Sequence, residues 1–155
     1  MEFKKIAEMT NEELSQLPQV AVRVSRLVLK DRKSSKITGV RFEALVNIHP
    51  LLVKRVTISQ AAFGLLAVAS GKQSANELNL NAYIHYTKGS RKNGEKYYLY
   101  EARVSSDVTI RDFLSIDEAK LLSSLKKSGQ FVSEFYERPE DTLPEVAEDS
   151  EEVTI

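Results

Sequence analysis

Hydrophobic and polar residues alternate through much of the first hundred positions, and the alternation resolves into separate runs. In residues 20–30, Val20, Val22 and Val24 alternate with Ala21, Arg23 and Ser25, after which Leu27 and Leu29 carry the apolar side onward in the opposite phase. A period of two marks a half-buried strand, and the change of phase predicts a bulge near Ser25 and Arg26 that bends it. A second strand over 37–48 sets Val40, Phe42, Ala44, Val46 and Ile48 on one face, with Gly39 near its start, where a kink or a close backbone approach fits. His49-Pro50 closes it as a turn, and a third strand follows over 52–58. Residues 80–87 and 96–104 read as a hairpin, because the segment between them contains Asn93-Gly94, a strong turn signal. Leu80, Ala82, Ile84 and Tyr86 then share a core face with Tyr98, Tyr100, Ala102 and Val104. Tyr83, His85, Tyr97, Leu99, Glu101 and Arg103 fall on the open face.

Three segments carry helix signals instead. Thr10-Asn11-Glu12-Glu13 and Ser115-Ile116-Asp117-Glu118 have the form of capping boxes, the first ended by Pro18 and the second by Gly129. Leu121, Leu122 and Leu125 give the second a docking face. Between the third strand and the hairpin, Ser59 caps a helix over 60–70 that Gly71 stops, and its small, apolar composition predicts wide burial. The order strand, strand, strand, helix, strand, strand is that of the OB fold, a partly open barrel with its helix between the third and fourth strands. The expected class is therefore mainly β (α+β), a five-stranded OB-like barrel with a C-terminal helix and an acidic tail. The chain divides into an N-terminal arm (1–17), an OB-like nucleic-acid-binding domain (18–136) and a tail (137–155). The tail's acidic groups, two prolines and few apolar residues predict disorder.

Charge sharpens this picture. The 22 basic and 22 acidic residues cancel overall, but residues 137–155 hold eight acids and one base, and residues 20–103 hold fifteen bases against five acids. Such asymmetry fits either a polyanion partner for the body or plain solvation of exposed strands. The tail then either folds back as a tethered competitor for that partner, at high effective concentration, or keeps the protein soluble. The arm differs in kind: Phe3, Ile6, Met9, Leu14 and Leu17 need a surface to cover, their own barrel or a neighbouring subunit. Self-association through Phe3, Ile6, Met9 and Leu14, in a head-to-tail contact, is the expectation.

Catalytic constellations are weak. The absence of cysteine removes thiolate metal sites, disulfides and cysteine nucleophiles together. The two histidines, His49 and His85, have no partner at metal-ligand spacing, and no phosphate loop or Gly-x-Ser-x-Gly elbow occurs. No cofactor or metal is expected, and the chain reads as a non-enzyme. The longest apolar run, residues 61–69, is short for a membrane span, and the N-terminus lacks a signal-peptide pattern, so a cytoplasmic protein without membrane contact is expected.

A nucleic-acid surface fits better. Binding a single strand without sequence preference needs cations that track phosphates and flat rings that stack on bases. Tyr83, His85 and Tyr97 supply rings on the open hairpin face, although Tyr83 and Tyr97 also fit a simple cross-strand pair. Arg91, Lys92 and Lys96 cluster at the hairpin tip, and Arg103 flanks it. Arg23, Arg26, Lys33, Lys36 and Arg41 decorate the first two strands and their connection. Those two connections are the loops that flank the usual binding face of an OB fold.

On its element order, basic loops and the stretches RFEALVNI and KYYLYEARV, the chain resembles single-stranded DNA-binding proteins encoded by conjugative plasmids of Gram-positive bacteria (PrgE-like) over about residues 18–136. The resemblance implies binding of single-stranded DNA without sequence preference, in conjugative transfer or replication of a mobile element. It departs from housekeeping single-strand binders in lacking tryptophan and in ending Glu151-Glu152-Val153-Thr154-Ile155 rather than in an Asp-rich tip closed by Pro-Phe. Single-stranded RNA is the alternative strand partner. The alternative function, of a different class, is a protein–protein adaptor or inhibitor encoded by a phage or plasmid.

Overall fold

The computed structural model describes residues 3–139 and the backbone of residues 152–154. The protein is mainly β. Six strands form one antiparallel sheet that curls into a nearly closed barrel: β1 (Gln19–Lys30), β2 (Ile37–His49), β3 (Leu52–Ile58), β4 (Glu77–Ser90), β5 (Lys96–Arg103) and β6 (Thr109–Leu114). They lie side by side in the order β3-β2-β1-β4-β5-β6. A short strand β7 (Phe135–Glu137) runs parallel to β4, and β8 (Glu152–Thr154) pairs with β6. The helices are α1 (Asn11–Leu14), α2 (Gln60–Ala69), which follows β3, and α3 (Ile116–Lys127), which follows β6.

Local chemistry sets the helix ends. Thr10 and Ser115 each accept from the backbone of the residue three along, and Glu13 and Glu118 reach back to the capping residues' N–H groups. Ser59 Oγ accepts from Ala62 N at 3.0 Å to start α2. Gly71 and Gly129, at φ of 70° and 80°, take the left-handed conformation that stops α2 and α3 at little cost. α2 buries only one side, through Ala62, Phe63, Leu66 and Ala67, while Val68 is 62% exposed. Its apolar composition overstated its burial, since small residues sit in solvent at low cost.

The expectation of five strands falls short. The alternation of Ile110, Asp112 and Leu114 with Thr109, Arg111 and Phe113 makes a sixth, β6, whose inner residues Ile110, Asp112 and Leu114 are buried. β4 is long enough to serve two partners: residues 77–83 pair with β1, and residues 83–90 pair with β5. The ends of the sheet approach each other at Lys54. From β3 its ammonium reaches Glu118 at the start of α3 (2.9 Å) and Asp112 on β6 (3.9 Å). The core inside holds Val22, Val24, Val46, Val56, Ile84 and Tyr100, closed by Phe63 and Leu66 of α2 and Leu122 of α3.

The bulge predicted near Ser25 is absent. β1 and β2 pair without interruption from Val22↔Val46 to Leu29↔Gly39, and the irregularity lies between Leu29 and Lys30. Leu27 and Leu29 lie on the outer face in the same phase as Arg23, so the apparent slip is apolar residues placed outside the barrel rather than a change of register.

Candidate nucleic-acid interface

β1 and β2 extend past the rest of the sheet. β4 pairs with β1 only up to Ser25, and β3 pairs with β2 only from Phe42. Over residues 26–41 the two strands and their turn form a ribbon that, apart from Arg26 N donating to Asn76 O at its root (2.8 Å), pairs only with itself among the described residues. The ribbon carries six bases, Arg26, Lys30, Arg32, Lys33, Lys36 and Arg41, and one acid, Asp31. Asp31 is occupied by the turn: its carboxylate accepts from Lys33 N and from Ser34 Oγ, both at 3.0 Å, and its N–H donates to Lys36 O. Ser35 takes φ of 59°, turning the chain back. The acid orders the tip, and against six bases its charge leaves the ribbon a net excess of five. Between the cations lie Val28, Leu29, Ile37 and Val40, all exposed, with Ile37 at 66%.

At the root of the ribbon, Glu43 on β2 lies between Arg41 (3.6 Å) and Arg55 of β3 (3.9 Å). Glu43 is buried while both arginines stay largely exposed, so the outer face keeps a positive excess. Arg23 is exposed on the same face of β1. Arg55 escaped the sequence reading because it stands alone in a short strand, and only the register Leu45↔Arg55 brings it beside the others.

The second predicted basic element is tighter than expected. Strands continue to Ser90 and from Lys96, leaving a turn of five residues held by Arg91 N to Glu95 O (2.7 Å) and by Gly94 at φ of 85°. Lys92 and Lys96 are exposed. Arg91 instead lies over the rings of Phe113 (5.3 Å) and Tyr97 (5.9 Å), a cation–π arrangement that ties it to the hairpin.

The ring-bearing face does not exist as an open surface. His85 is 2% exposed and Tyr97 4%, and the N-terminal arm with Arg138 covers much of their side of the hairpin. Phe3 stacks on His85 with centroids 6.4 Å apart, and the Arg138 guanidinium lies 4.8 Å from the Phe3 centroid. Beneath them Glu101 Oε1 accepts from Arg138 Nη1 (2.8 Å) and contacts His85 Nε2 (3.0 Å), while Arg111 stands 3.6 Å from Oε2. Burial alone would raise the Glu101 pKa. The hydrogen bond and charge of His85, then those of Arg138, outweigh it and hold the carboxyl down at about 2. Tyr83 is half-buried against Ile6, Leu14 and Leu17, and Arg103 donates to Met9 O (3.2 Å) and Ile6 O (3.4 Å). His85, Tyr83 and Arg103 make internal contacts with the arm instead of lying on an open face. Strand alternation assigns a side chain to a face, but it does not say whether a distant segment will cover that face.

The same contacts give the arm a surface within its own chain. Ile6 is fully buried and Leu14 nearly so against the chain's own barrel, and Phe3 and Met9 pack there too. The arm therefore has its surface without a neighbouring subunit. The folded part also extends beyond residue 136, since Glu137 belongs to β7 and Arg138 is buried. Residues 152–154 pair with β6 instead of hanging free. The rest of the tail expectation, over 140–151, lies outside the described residues.

Tyr97 imposes one further local requirement. Its ring lies across Gly89, the residue it pairs with, and a Cβ there would meet the ring and its hydroxyl well inside contact distance. Gly89→Ala should cost about 1–3 kcal/mol, the usual range for overpacking, read from the denaturation midpoint, whereas Gly64→Ala on the exposed side of α2 should cost nothing.

Among the described residues no helix is long and apolar enough to cross a membrane, and no group of three or more His, Asp or Glu could hold a metal ion. No protein-family model, curated protein or solved structure gives a significant match to the chain.

Proposed function

We propose that the protein binds single-stranded nucleic acid without sequence preference and without catalysis, gripping phosphates along the β1–β2 ribbon. The observation that carries this reading is the ribbon itself: six cations on a strand pair that overhangs the barrel, with its one carboxylate occupied inside the turn. A phosphate backbone is a line of negative charges, and the ribbon sets Arg26 and Lys30 along one strand, Arg41 along the other, and Arg32, Lys33 and Lys36 in the turn that joins them. The exposed Val28, Ile37 and Val40 between them give sugars and bases an apolar surface. Arg23, Arg41 and Arg55 continue the path onto the outer face of β1, β2 and β3, where an OB barrel carries its ligand.

The barrel order and the helix following β3 support an OB-like reading of the fold. A DNA-processing role on a conjugative plasmid or another mobile element is the biological setting that the sequence resemblance implies. Affinity in this scheme comes from charge more than from stacking, because His85 and Tyr97 are enclosed and Tyr83 holds the arm.

The test is the variant Arg32→Ala/Lys33→Ala/Lys36→Ala, measured by fluorescence anisotropy on labelled oligothymidylate at several salt concentrations. All three residues are exposed, so folding is untouched. The slope of log K against log salt should flatten by about 2, at roughly 0.7 per single-strand phosphate contact. An unchanged slope would move the phosphate path off the ribbon.

A further inference from the structure

A second feature lies between α3 and the far end of the β4–β5 hairpin. Three adjacent cavities share their walls there. One of about 400 Å³ lies against α3 and includes Tyr98, Lys120, Ser123 and Lys127. Another of about 340 Å³ shares Ser123 with it and reaches Lys88. A small third, about 100 Å³, joins Lys88 back to Tyr98 past Lys96. The first two fall within the range of ligand sites, roughly 300–1,000 Å³.

Their chemistry is one-sided. Lys88 and Lys96 come from the hairpin and Lys120 and Lys127 from α3. All four are exposed, and none forms an ion pair among the described residues. Lys126 is taken by Glu134 at 2.6 Å, which leaves Glu137 as the one acid in the walls without a cation partner. Tyr98 is the ring common to two of the cavities. It is half-buried, held edge-on by Phe135 with centroids 5.3 Å apart and planes at 81°. The sequence reading gave Tyr98 to the core because its phase matches that of Tyr100. It differs because it sits two pairs from the end of the hairpin, where the core gives way to these cavities.

We propose that this cleft binds a nucleotide unit, its base against Tyr98 and its phosphate among Lys96, Lys120 and Lys127, with the Ser123 and Ser124 hydroxyls as further donors. A fixed, partly exposed ring surrounded by unpaired ammonium groups selects a ligand that is flat at one end and anionic at the other, which describes a nucleotide. The proposal rests on the reading of the protein as a nucleic-acid binder and deepens it. The ribbon supplies charge, and the Tyr98 cleft supplies the stacking platform that His85 and Tyr97 do not.

The test is amide chemical-shift mapping of the ¹⁵N-labelled full chain with tetrathymidylate, thymidine monophosphate and inorganic phosphate as separate probes. Both thymidine probes should shift amides around Lys96, Tyr98 and α3. Lys120→Glu/Lys127→Glu should abolish those shifts while leaving ribbon shifts with tetrathymidylate in place. Tyr98→Leu should weaken thymidine monophosphate by roughly tenfold or more, as loss of a stacking ring does, and Tyr98→Phe should restore it. If the leucine variant does not fold, the lysine pair and the phenylalanine variant decide. Ribbon shifts with a silent cleft would overturn this proposal and leave the ribbon reading standing. Equal responses to inorganic phosphate, indifferent to Tyr98, would overturn the nucleotide assignment. Cleft shifts without ribbon shifts would support the cleft and count against the ribbon.

Discussion

Glu101→Ala is expected to destabilise the protein by about 3–5 kcal/mol, the range for removing one partner of a buried ion pair. Glu101 lies within reach of Arg138, Arg111 and His85 together. Removing it leaves Arg138, itself buried, facing His85 and Thr87 with no counter-charge from that position. The loss should loosen both ends of the folded chain, since Phe3 is held between His85 and Arg138. A denaturant titration gives the magnitude, and exchange of the Ile6 and Met9 amides shows whether the arm lifts. Glu101→Gln, which keeps the shape and loses the charge, should fall between alanine and wild type. The carboxyl's pKa lies below its unfolded value near 4.5, at about 2. Its contribution is therefore complete above pH 4.5 and is lost as pH falls from there through about 2. The Glu101→Gln variant should lack that component of acid denaturation. A midpoint unchanged in Glu101→Ala would mean that the cluster is hydrated rather than closed.

Cutting the ribbon away should have the opposite profile. Replacing residues 28–40 with Asn-Gly keeps the Leu27↔Arg41 pair and every contact of β1 and β2 with the barrel. The excised residues are exposed apart from Gly39, and none belongs to the core. The melting temperature should therefore change little, and removal of Val28, Ile37 and Val40 should improve solubility. Four bases go with the segment, Lys30, Arg32, Lys33 and Lys36. At roughly 0.7 per phosphate contact the salt slope should fall by about 3, and strand affinity at low salt should drop by two orders of magnitude or more. A folded, shortened protein that binds like the parent would remove the ribbon from the function.

The sequence made the six helix caps and stops legible because each is a local rule: a hydroxyl at Thr10, Ser59 or Ser115, and Pro18, Gly71 or Gly129 where a helix gives out. The first five strands were legible from a period of two. What the pattern did not show was coverage. His85 and Tyr97 alternate onto a face that looks open, and residues 3–17 and 138 enclose it from more than sixty and thirty positions away respectively. The same blindness runs the other way. Val40, Leu27 and Leu29 read as strand core, yet β4 pairs with β1 only up to Ser25 and β3 with β2 only from Phe42, so Leu29 and Val40 stay exposed and Leu27 is half-buried. β6 was passed over because Asp112 interrupts its apolar side. That aspartate is buried where it faces Lys54 across the seam of the barrel, a contact visible only once the sheet has curled.

The most direct measurement is the affinity of the unmodified protein for labelled single strands of thymidine and of mixed sequence, followed across a salt series. Six ribbon cations predict a slope of log K against log salt near −4, at roughly 0.7 per contact, and the same affinity for both strands at each salt concentration. Absence of binding at low salt, or binding that salt leaves unchanged, would contradict a phosphate-tracking ribbon.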